Sequence, residues 1–531
     1  MKNEVLLGDE AVALAAIHAG LSSAYSYPGT PASEIMEFLI AASARDPSFK
    51  ATWSVNEKTA YEEALGVSFA GRRAMVSFKH VGLNVAADPF VNSGVTGANG
   101  GLVVVSADDP GMHSSQNEQD SRYFAEFARV PCFEPSSQQE AYDMTREAFD
   151  ASEKFGLPVL VRLVTRLAHS RAIVGTREGR GQNELKPGDW RDWTLLPVNA
   201  RRRFGVLLDL QPQLVSYSNE SAYNRLSLEG DRRLGIIAAG VAFNYLTEVL
   251  EEEKAVMPWL KVSAYPLPVL LVNRLIDAVD EVLVLEDGYP FIESRLGGLA
   301  GIAGKVIHGR LDGRLPASGE LTPEIIRNAL GFPARDSIKP ASIALPGRPP
   351  QLCPGCPHAD TFKALNEALK SFDSGNVFSD IGCYTLGALP PYRAVQTCVC
   401  MGASIGMSRG ASDVGLWPSV AVIGESTFAH SGITPLLSAA AADADITVII
   451  LDNATVAMTG GQRSYGTGSR LLGIVEGVGV PKDHIRVIKP LPKNHEANVK
   501  IMREEIEHRG VSVIVADREC VEYPSSKGGR K

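Results

Sequence analysis

Four of the seven cysteines sit where thiolates can converge. Cys353-Pro-Gly-Cys356 is a CxxC with a turn-forming centre, so both sulfurs can reach one ion. Cys383 lies in a second loop, DIGCY, after the strand-like NVFSD, and Cys520 follows the strand-like VSVIVAD. Four thiolates from three loops hold either Zn²⁺ or a [4Fe–4S] cluster, and ligand type does not separate the two. A redox-active dithiol is a third reading, but it leaves Cys383 and Cys520 without a role. An odd number of cysteines in a chain without a secretory signal speaks against a disulfide framework. Cys398 and Cys400, two residues apart, are expected in or beside a strand, and Cys132 as an ordinary buried thiol.

A second group is built from oxygen. The run VAVIG ends at Gly424-Glu425-Ser426, and ITVIIL ends at Asp452-Asn453-Ala454. Glu425 and Asn453 are 28 residues apart, one helical crossover. Both side chains can therefore face the crevice at the strand ends of a parallel sheet, where ligands bind. A carboxylate, an amide oxygen and a main-chain carbonyl such as that of Thr455 suit a hard ion like Mg²⁺ that also holds a diphosphate. The plainer reading makes Asp452-Asn453 a turn and Glu425 a helix cap. Spacing alone leaves both open.

Further groups lie near the N-terminus. WSVNEKTAYEEALG reads as a strand end followed by a helix, with Glu57 at the helix start. On its own, an acid there complements the helix dipole. YPGTP (27–31) is a Pro/Gly-locked loop suited to holding a substrate or cofactor edge. Lys79-His80 follow the strand-like AMVSF. His80 either meets a substrate carboxylate or relays a proton, or it is a satisfied, partly buried imidazole. Asp108 and Asp109, in ADDPGMH, are enough to shape a turn.

The frame that must position these groups is α/β. Apolar runs AMVSF (74–78), LVVVSA (102–107), PVLVRLV (158–164), LGIIAAG (234–240), EVLVLE (281–286), VAVIG (420–424), ITVIIL (446–451) and VSVIVAD (511–517) alternate with stretches of helical period. Runs apolar on both faces indicate parallel sheets covered by helices. The chain divides into an α/β segment at 1–185, an irregular Arg-rich connector at 186–230, a second α/β segment at 231–335, a linker at 336–350 and a third α/β segment at 351–531.

The 531 residues, 45% hydrophobic and 21% charged, exclude disorder and small disulfide scaffolds. A net charge of −9 without a basic stripe argues against a nucleic-acid partner. The most apolar stretch, Leu436 to Leu451, is broken by Asp443 and Asp445, so no membrane span is expected. The N-terminus lacks a signal-peptide layout, and the cytoplasm is the expected compartment.

Several blocks resemble indolepyruvate:ferredoxin oxidoreductase large subunits, within the thiamine-diphosphate-dependent 2-oxoacid:ferredoxin oxidoreductases. They are IGESTFAHSGI, LDNATVAMTGGQ, LCPGCPHADTF, SDIGCYTLG and VCMGASIGM, with YPGTPASEI, WSVNEKTA, KHVGLNVAADP and ADDPGMHSSQNEQDSRY in the first segment. The resemblance runs from about residue 5 to about residue 521. It implies three parallel-sheet domains in chain order: pyrimidine-binding, transketolase C-terminal-like and diphosphate-binding.

The resemblance also implies the roles. Glu57 becomes the acid that activates the thiamine ring, while His80 keeps its two readings. Glu425, Asn453 and Thr455 become the Mg²⁺ ligands. Gly424, Ser426, Gly382, His358 and Met401 join those three as cofactor-binding residues. Cys353, Cys356, Cys383 and Cys520 become ligands of one [4Fe–4S] cluster. The implied reaction is oxidative decarboxylation of a 2-oxoacid, an arylpyruvate such as indolepyruvate, with electrons leaving to ferredoxin or a similar acceptor and the acyl group passing to coenzyme A. A small beta subunit and an alpha2beta2 assembly are implied as well.

Three departures stand out. Glu425 replaces the family's Asp, keeping the carboxylate on a longer arm. Cys520 lies in RECVEY, where a proline commonly adjoins the cysteine. The chain stops at Lys531 without the ferredoxin-like CxxCxxCxxxCP segment, which leads one to expect either a shorter single-cluster variant or a truncated chain. The rival expectations are a non-redox thiamine decarboxylase with a structural zinc site and a non-catalytic homologue.

Overall fold

All eight apolar runs form strands, and the strongest of them are buried along their whole length. Leu102–Asp108, Val159–Val164, Ser419–Gly424 and Thr447–Asp452 expose no residue. Strands covered by helices on both faces need no polar alternation, which is why these runs read as continuous apolar blocks. The structure is a computed structural model describing residues 2–297, 301–335, 350–372 and 376–524. The expected linker at 336–350 lies outside the described residues except for its last position. The chain forms two compact units, Met1–Lys339 and Pro340–Lys531.

The first unit carries two main sheets. The larger has seven strands, in spatial order Ala264–Tyr265, Cys132–Phe133, Val159–Val164, Leu102–Asp108, Ala74–Lys79, Ser23–Ser26 and Lys50–Trp53. All neighbours are parallel except the first pair. The other sheet orders Val306–His308, Glu281–Leu285, Leu234–Ala239, Trp259–Val262 and Arg225–Ser227, with only the last strand antiparallel. A short antiparallel pair, Lys2–Leu7 with Arg171–Thr176, ties the N-terminus down.

A buried ionic seam joins the segments that carry these two sheets. Arg162 donates from Nε to Asp108 at 2.6 Å and from Nη2 to the Asp287 carbonyl at 3.0 Å, with Glu134 as a third partner. Arg122 donates to Asp120 and, at 2.8 Å, to Glu286. The Tyr265 hydroxyl donates to Glu134 at 2.7 Å. Removing one member of such a buried pair costs about 3–5 kcal/mol, because the other charge is left desolvated. Asp109 shapes its turn, accepting from the Ser114 N–H (2.8 Å) and from the hydroxyls of Ser115 (2.7 Å) and Thr165 (2.8 Å).

The stretch expected to be an irregular connector contains a 24-residue helix, Pro197–Glu220. Its polarity hid it, but Arg, Leu and Gln are good helix formers. Leu207, Leu214 and Ser218 give it a narrow buried stripe at helical spacing.

The second unit is a five-stranded, wholly parallel sheet in the order Asn376–Phe378, Ser419–Gly424, Thr447–Asp452, Ser512–Asp517 and Ile485–Ile488. Parallel strands end at one edge, so the loops after Phe378, Gly424, Asp452 and Asp517 emerge side by side. No helix among the described residues is long and apolar enough to cross a membrane.

Candidate functional site

At the strand-end edge of the second unit, the segments bearing the sequence-predicted thiols meet. Gln351 to His358 forms a turn closed by the Cys356 N–H donating to the Cys353 carbonyl at 3.1 Å, and Cys356 caps the helix Pro357–Leu369. Cys383 opens the short helical turn Cys383–Ala388. Cys520 follows the strand Ser512–Asp517 by three residues. All four cysteines, with His358 and Asn453, line one cavity of about 360 Å³.

The chemistry of this donor set fits a cationic occupant. Burial, and then the nearness of Cys356, Cys520 and Cys353, pushes the Cys383 thiol up to about 12. Burial also raises Cys353 and Cys356. Such thiols keep their protons unless a cation replaces them. Burial pulls His358 down to about 4, so its imidazole is neutral. Cys132 is buried in the strand Cys132–Phe133, as expected. Cys398 and Cys400 are exposed and lie in no strand but beside one, since the Gln396 N–H just before them donates to the Val377 carbonyl of the strand Asn376–Phe378 at 2.9 Å.

The oxygen group is assembled at the same edge. Glu425 begins a helical turn directly after Gly424 and is buried, with Ser426 half-buried beside it. The Asn453 amide presents its end to Glu425 Oε2 at 3.0 Å and to the Thr455 carbonyl at 3.1 Å. With nitrogen turned toward them, the amide donates to both. With oxygen turned toward them, three oxygens converge with no proton between them. Two ligands at right angles around Mg²⁺, each about 2.1 Å from it, stand about 3.0 Å apart. The same spacing thus serves the hydrogen bonds of the first orientation and admits such an ion in the second. Burial, and then Asp452, pushes Glu425 up to about 8, the response of a carboxylate that lacks a counter-charge. Asp452 itself braces the loop, accepting from the Thr467 hydroxyl at 2.7 Å and the Gly468 N–H at 2.8 Å.

Gly382 and Gly424 both lie against the Tyr384 ring, which leaves no room for a side chain at either position. Met401 is half-buried in the turn before the helix Ala403–Asp413. One residue escaped the sequence reading. Asp380, after the strand Asn376–Phe378, is buried, accepts from the Ser404 hydroxyl at 2.7 Å and is pushed up to about 6 by burial. An acid just past a strand end was its only sequence signal.

The first unit gathers its candidates in the same way. The loops after Lys50–Trp53, Ser23–Ser26, Ala74–Lys79 and Leu102–Asp108 carry Glu57, YPGTP, His80 and Asp109. Glu57 is the first residue of the helix Glu57–Phe69, whose N-cap Asn56 accepts from the Thr59 N–H at 2.8 Å. Its carboxylate is buried against Gly82, where a methyl group would stand 2.8 Å from Oε1 and 2.9 Å from Cγ. His80 is fully buried. Its Nε2 faces the Asn117 carbonyl at 3.0 Å, which places the proton there, and Nδ1 has no hydrogen-bond partner. Burial lowers its pKa, so the ring is neutral. Lys79, unassigned from sequence, is half-buried and donates to the Ser114 carbonyl at 3.0 Å. Burial lowers its pKa, against the opposing pull of Asp109 and Glu57.

Comparison with known proteins bears on both units. Residues 14–188 match the family model described as pyruvate flavodoxin/ferredoxin oxidoreductase, thiamine diphosphate-binding. Residues 380–516 match the C-terminal TPP-binding domain of thiamine pyrophosphate enzymes. The chain is 41% identical to the indolepyruvate oxidoreductase subunit IorA of Archaeoglobus fulgidus, over 97% of this chain and 86% of that protein. It is 35% identical to the subunit of the same name from Thermococcus kodakarensis, over 98% of this chain and 86% of that protein. A ketoisovalerate oxidoreductase subunit VorB of Methanothermobacter thermautotrophicus is 30% identical over 30% of this chain and 47% of its own length. Among solved structures, the fold is similar to a 2-oxoglutarate:ferredoxin oxidoreductase from Magnetococcus marinus with 2-oxoglutarate, coenzyme A and succinyl-CoA bound. That likeness has a TM-score of 0.52 at 17% identity, over 62% of this chain and 65% of the other.

Proposed function

The chain belongs to the indolepyruvate oxidoreductase subunit IorA family of thiamine-diphosphate-dependent 2-oxoacid oxidoreductases, and on that premise we propose that it converts an arylpyruvate such as indolepyruvate, with coenzyme A, to the acyl-CoA and carbon dioxide. The two electrons released leave through one [4Fe–4S] cluster to ferredoxin or a similar acceptor. The proposal includes a small beta subunit, an alpha2beta2 assembly and a cytoplasmic setting. The relatives' description as subunits and the coenzyme A thioester in the similar structure support it.

Bound thiamine diphosphate supplies a nucleophilic carbon for the 2-oxo group and an electron sink as carbon dioxide departs. Glu57 is proposed to hold and exchange a proton with the cofactor's aminopyrimidine. Its burial against Gly82 and its place at the start of the helix Glu57–Phe69 keep the carboxylate in one position. Lys79, a cation with a single carbonyl partner among its hydrogen bonds, suits the carboxylate of a 2-oxoacid. His80 Nδ1 is a bare acceptor in the same loop and is proposed to orient substrate or relay a proton. Glu425, Asn453 and the Thr455 carbonyl would hold Mg²⁺ and, through it, the diphosphate, beside Gly424, Ser426, Gly382, His358 and Met401.

The observation that carries the redox reading is the gathering of Cys353, Cys356, Cys383 and Cys520 around one cavity. Four thiolates brought from three loops suit a four-iron cluster. The test is anaerobic purification with the partner subunit, iron and sulfide analysis, and EPR of the reduced protein. About four irons per chain are expected. Zinc without iron would overturn the redox reading.

A further inference from the structure

Three side chains in the first unit converge without any use in the proposed reaction. Asp9 is the second residue of the helix Gly8–His18, and Glu34 is the second residue of the helix Ser33–Ser43. His169 caps the C-terminus of the short helix Thr165–Ala168. One ligand atom from each lies within 4.8 Å of the other two.

Asp9 is fully buried, and neither of its carboxylate oxygens has a hydrogen-bond partner. Glu34 Oε2 has none either, while Oε1 lies 3.4 Å from His169 Nε2. A buried carboxylate with no donor is among the costlier arrangements in a protein, and it persists where something supplies positive charge. Arg171, on the strand that follows His169, is directed to Glu10 at 3.8 Å. Packing enforces the convergence. A methyl group on Gly8 would run into the Leu167 carbonyl, so the first helix is pressed directly onto the turn that ends in His169.

We propose that Asp9, Glu34 and His169 form a second divalent-cation site, suited to a first-row transition dication, that staples the first helix and the helix after YPGTP to the turn following the strand Val159–Val164. Two carboxylates offset the dication's charge. The imidazole selects against Mg²⁺ and Ca²⁺, and the lack of sulfur selects against Cu(I). His169 is about one third exposed, at 34%, and gives the ion a way in. Because the helix carrying Glu34 begins two residues after YPGTP, an ion here would hold that loop's exit without touching substrate.

Mn²⁺ is the probe, since it avoids the cysteine cavity. The full chain, loaded with its cluster and free of thiamine diphosphate, is titrated with Mn²⁺ and followed by EPR and by melting temperature. The expected result is one Mn²⁺ per chain that raises the melting temperature. In Asp9→Asn and His169→Gln the affinity falls at least tenfold, whereas Asn453→Ala, at the other seat, leaves it unchanged. His169→Gln alters a partly exposed side chain and so reports even if Asp9→Asn does not fold. No Mn²⁺ bound, or Mn²⁺ bound equally by the native chain and His169→Gln, would overturn the site.

Discussion

The backbone N–H of Cys520 donates to the carbonyl oxygen of Asn453 at 3.1 Å. One main-chain bond thus joins the loop bearing the fourth thiol to the loop bearing the amide oxygen. The cause lies in the sheet: Thr447–Asp452 and Ser512–Asp517 are parallel neighbours with Asp452 opposite Asp517, so their loops leave the same edge together. A second bond, from the Arg518 N–H to the Asp452 carbonyl at 3.0 Å, continues the pairing past the strands.

Because Cys353, Cys356, Cys383 and Cys520 are the thiols that line the cavity among the described residues, cysteine substitutions divide into two classes. Cys383→Ala and Cys520→Ser are expected to lose most of the iron and the EPR signal of the reduced protein. Cys398→Ser and Cys400→Ser, which alter exposed loop residues, should keep both. Iron retained in Cys520→Ser would remove that residue from the ligand set.

Asn453→Ala removes the amide that faces Glu425 and the Thr455 carbonyl. Thiamine diphosphate affinity at fixed Mg²⁺ should fall at least about tenfold, as a cation seat loses one ligand of its octahedron. Isothermal titration checks this, and unchanged affinity would refute the assignment.

Glu57→Gln keeps the shape of the side chain and removes its ability to exchange a proton. Acceptor reduction should fall about 10²- to 10⁴-fold with the melting temperature preserved; full turnover would reject the role. Gly82→Ala pushes a methyl group against the same carboxylate and should also lower kcat. If the two act through one group, the double variant will be no slower than Glu57→Gln alone.

Asp287 provides a pH test of the ionic seam. Burial raises its carboxyl to about 6, whereas an unfolded Asp titrates near about 3.9. The folded state therefore holds the proton more tightly, and stability is lost as pH rises from about 4 to about 6. Asp287→Asn does not titrate and can still accept from the Leu321 N–H, now at 2.7 Å. Calorimetry should show the variant gaining on the native chain across that window, by up to about 3 kcal/mol. A constant difference from pH 4 to 7 would contradict the shift.

Much of the frame was legible because strand signals are local. The apolar blocks marked the strands, and the residues just past them, Glu57, Glu425, Asn453 and Cys520, fell at strand-end edges as parallel-sheet geometry requires. Charge was read less well. The Arg-rich stretch looked irregular, yet it is the helix Pro197–Glu220. Asp108 reads as a turn residue, yet it is buried in one network with Asp120, Arg122 and Arg162. Polarity in a sequence reports exposure only when no partner of opposite charge arrives from elsewhere in the chain.

By itself, then, the sequence determined which groups stand at the ends of strands, since period and punctuation are set by neighbours in the chain. Only the tertiary structure decided which of those ends adjoin. The parallel pairing of Thr447–Asp452 with Ser512–Asp517 brings Asn453 beside Cys520, and helix packing brings Asp9, Glu34 and His169 together. Those distances follow from strand order and packing, which are properties of the whole sheet rather than of any segment.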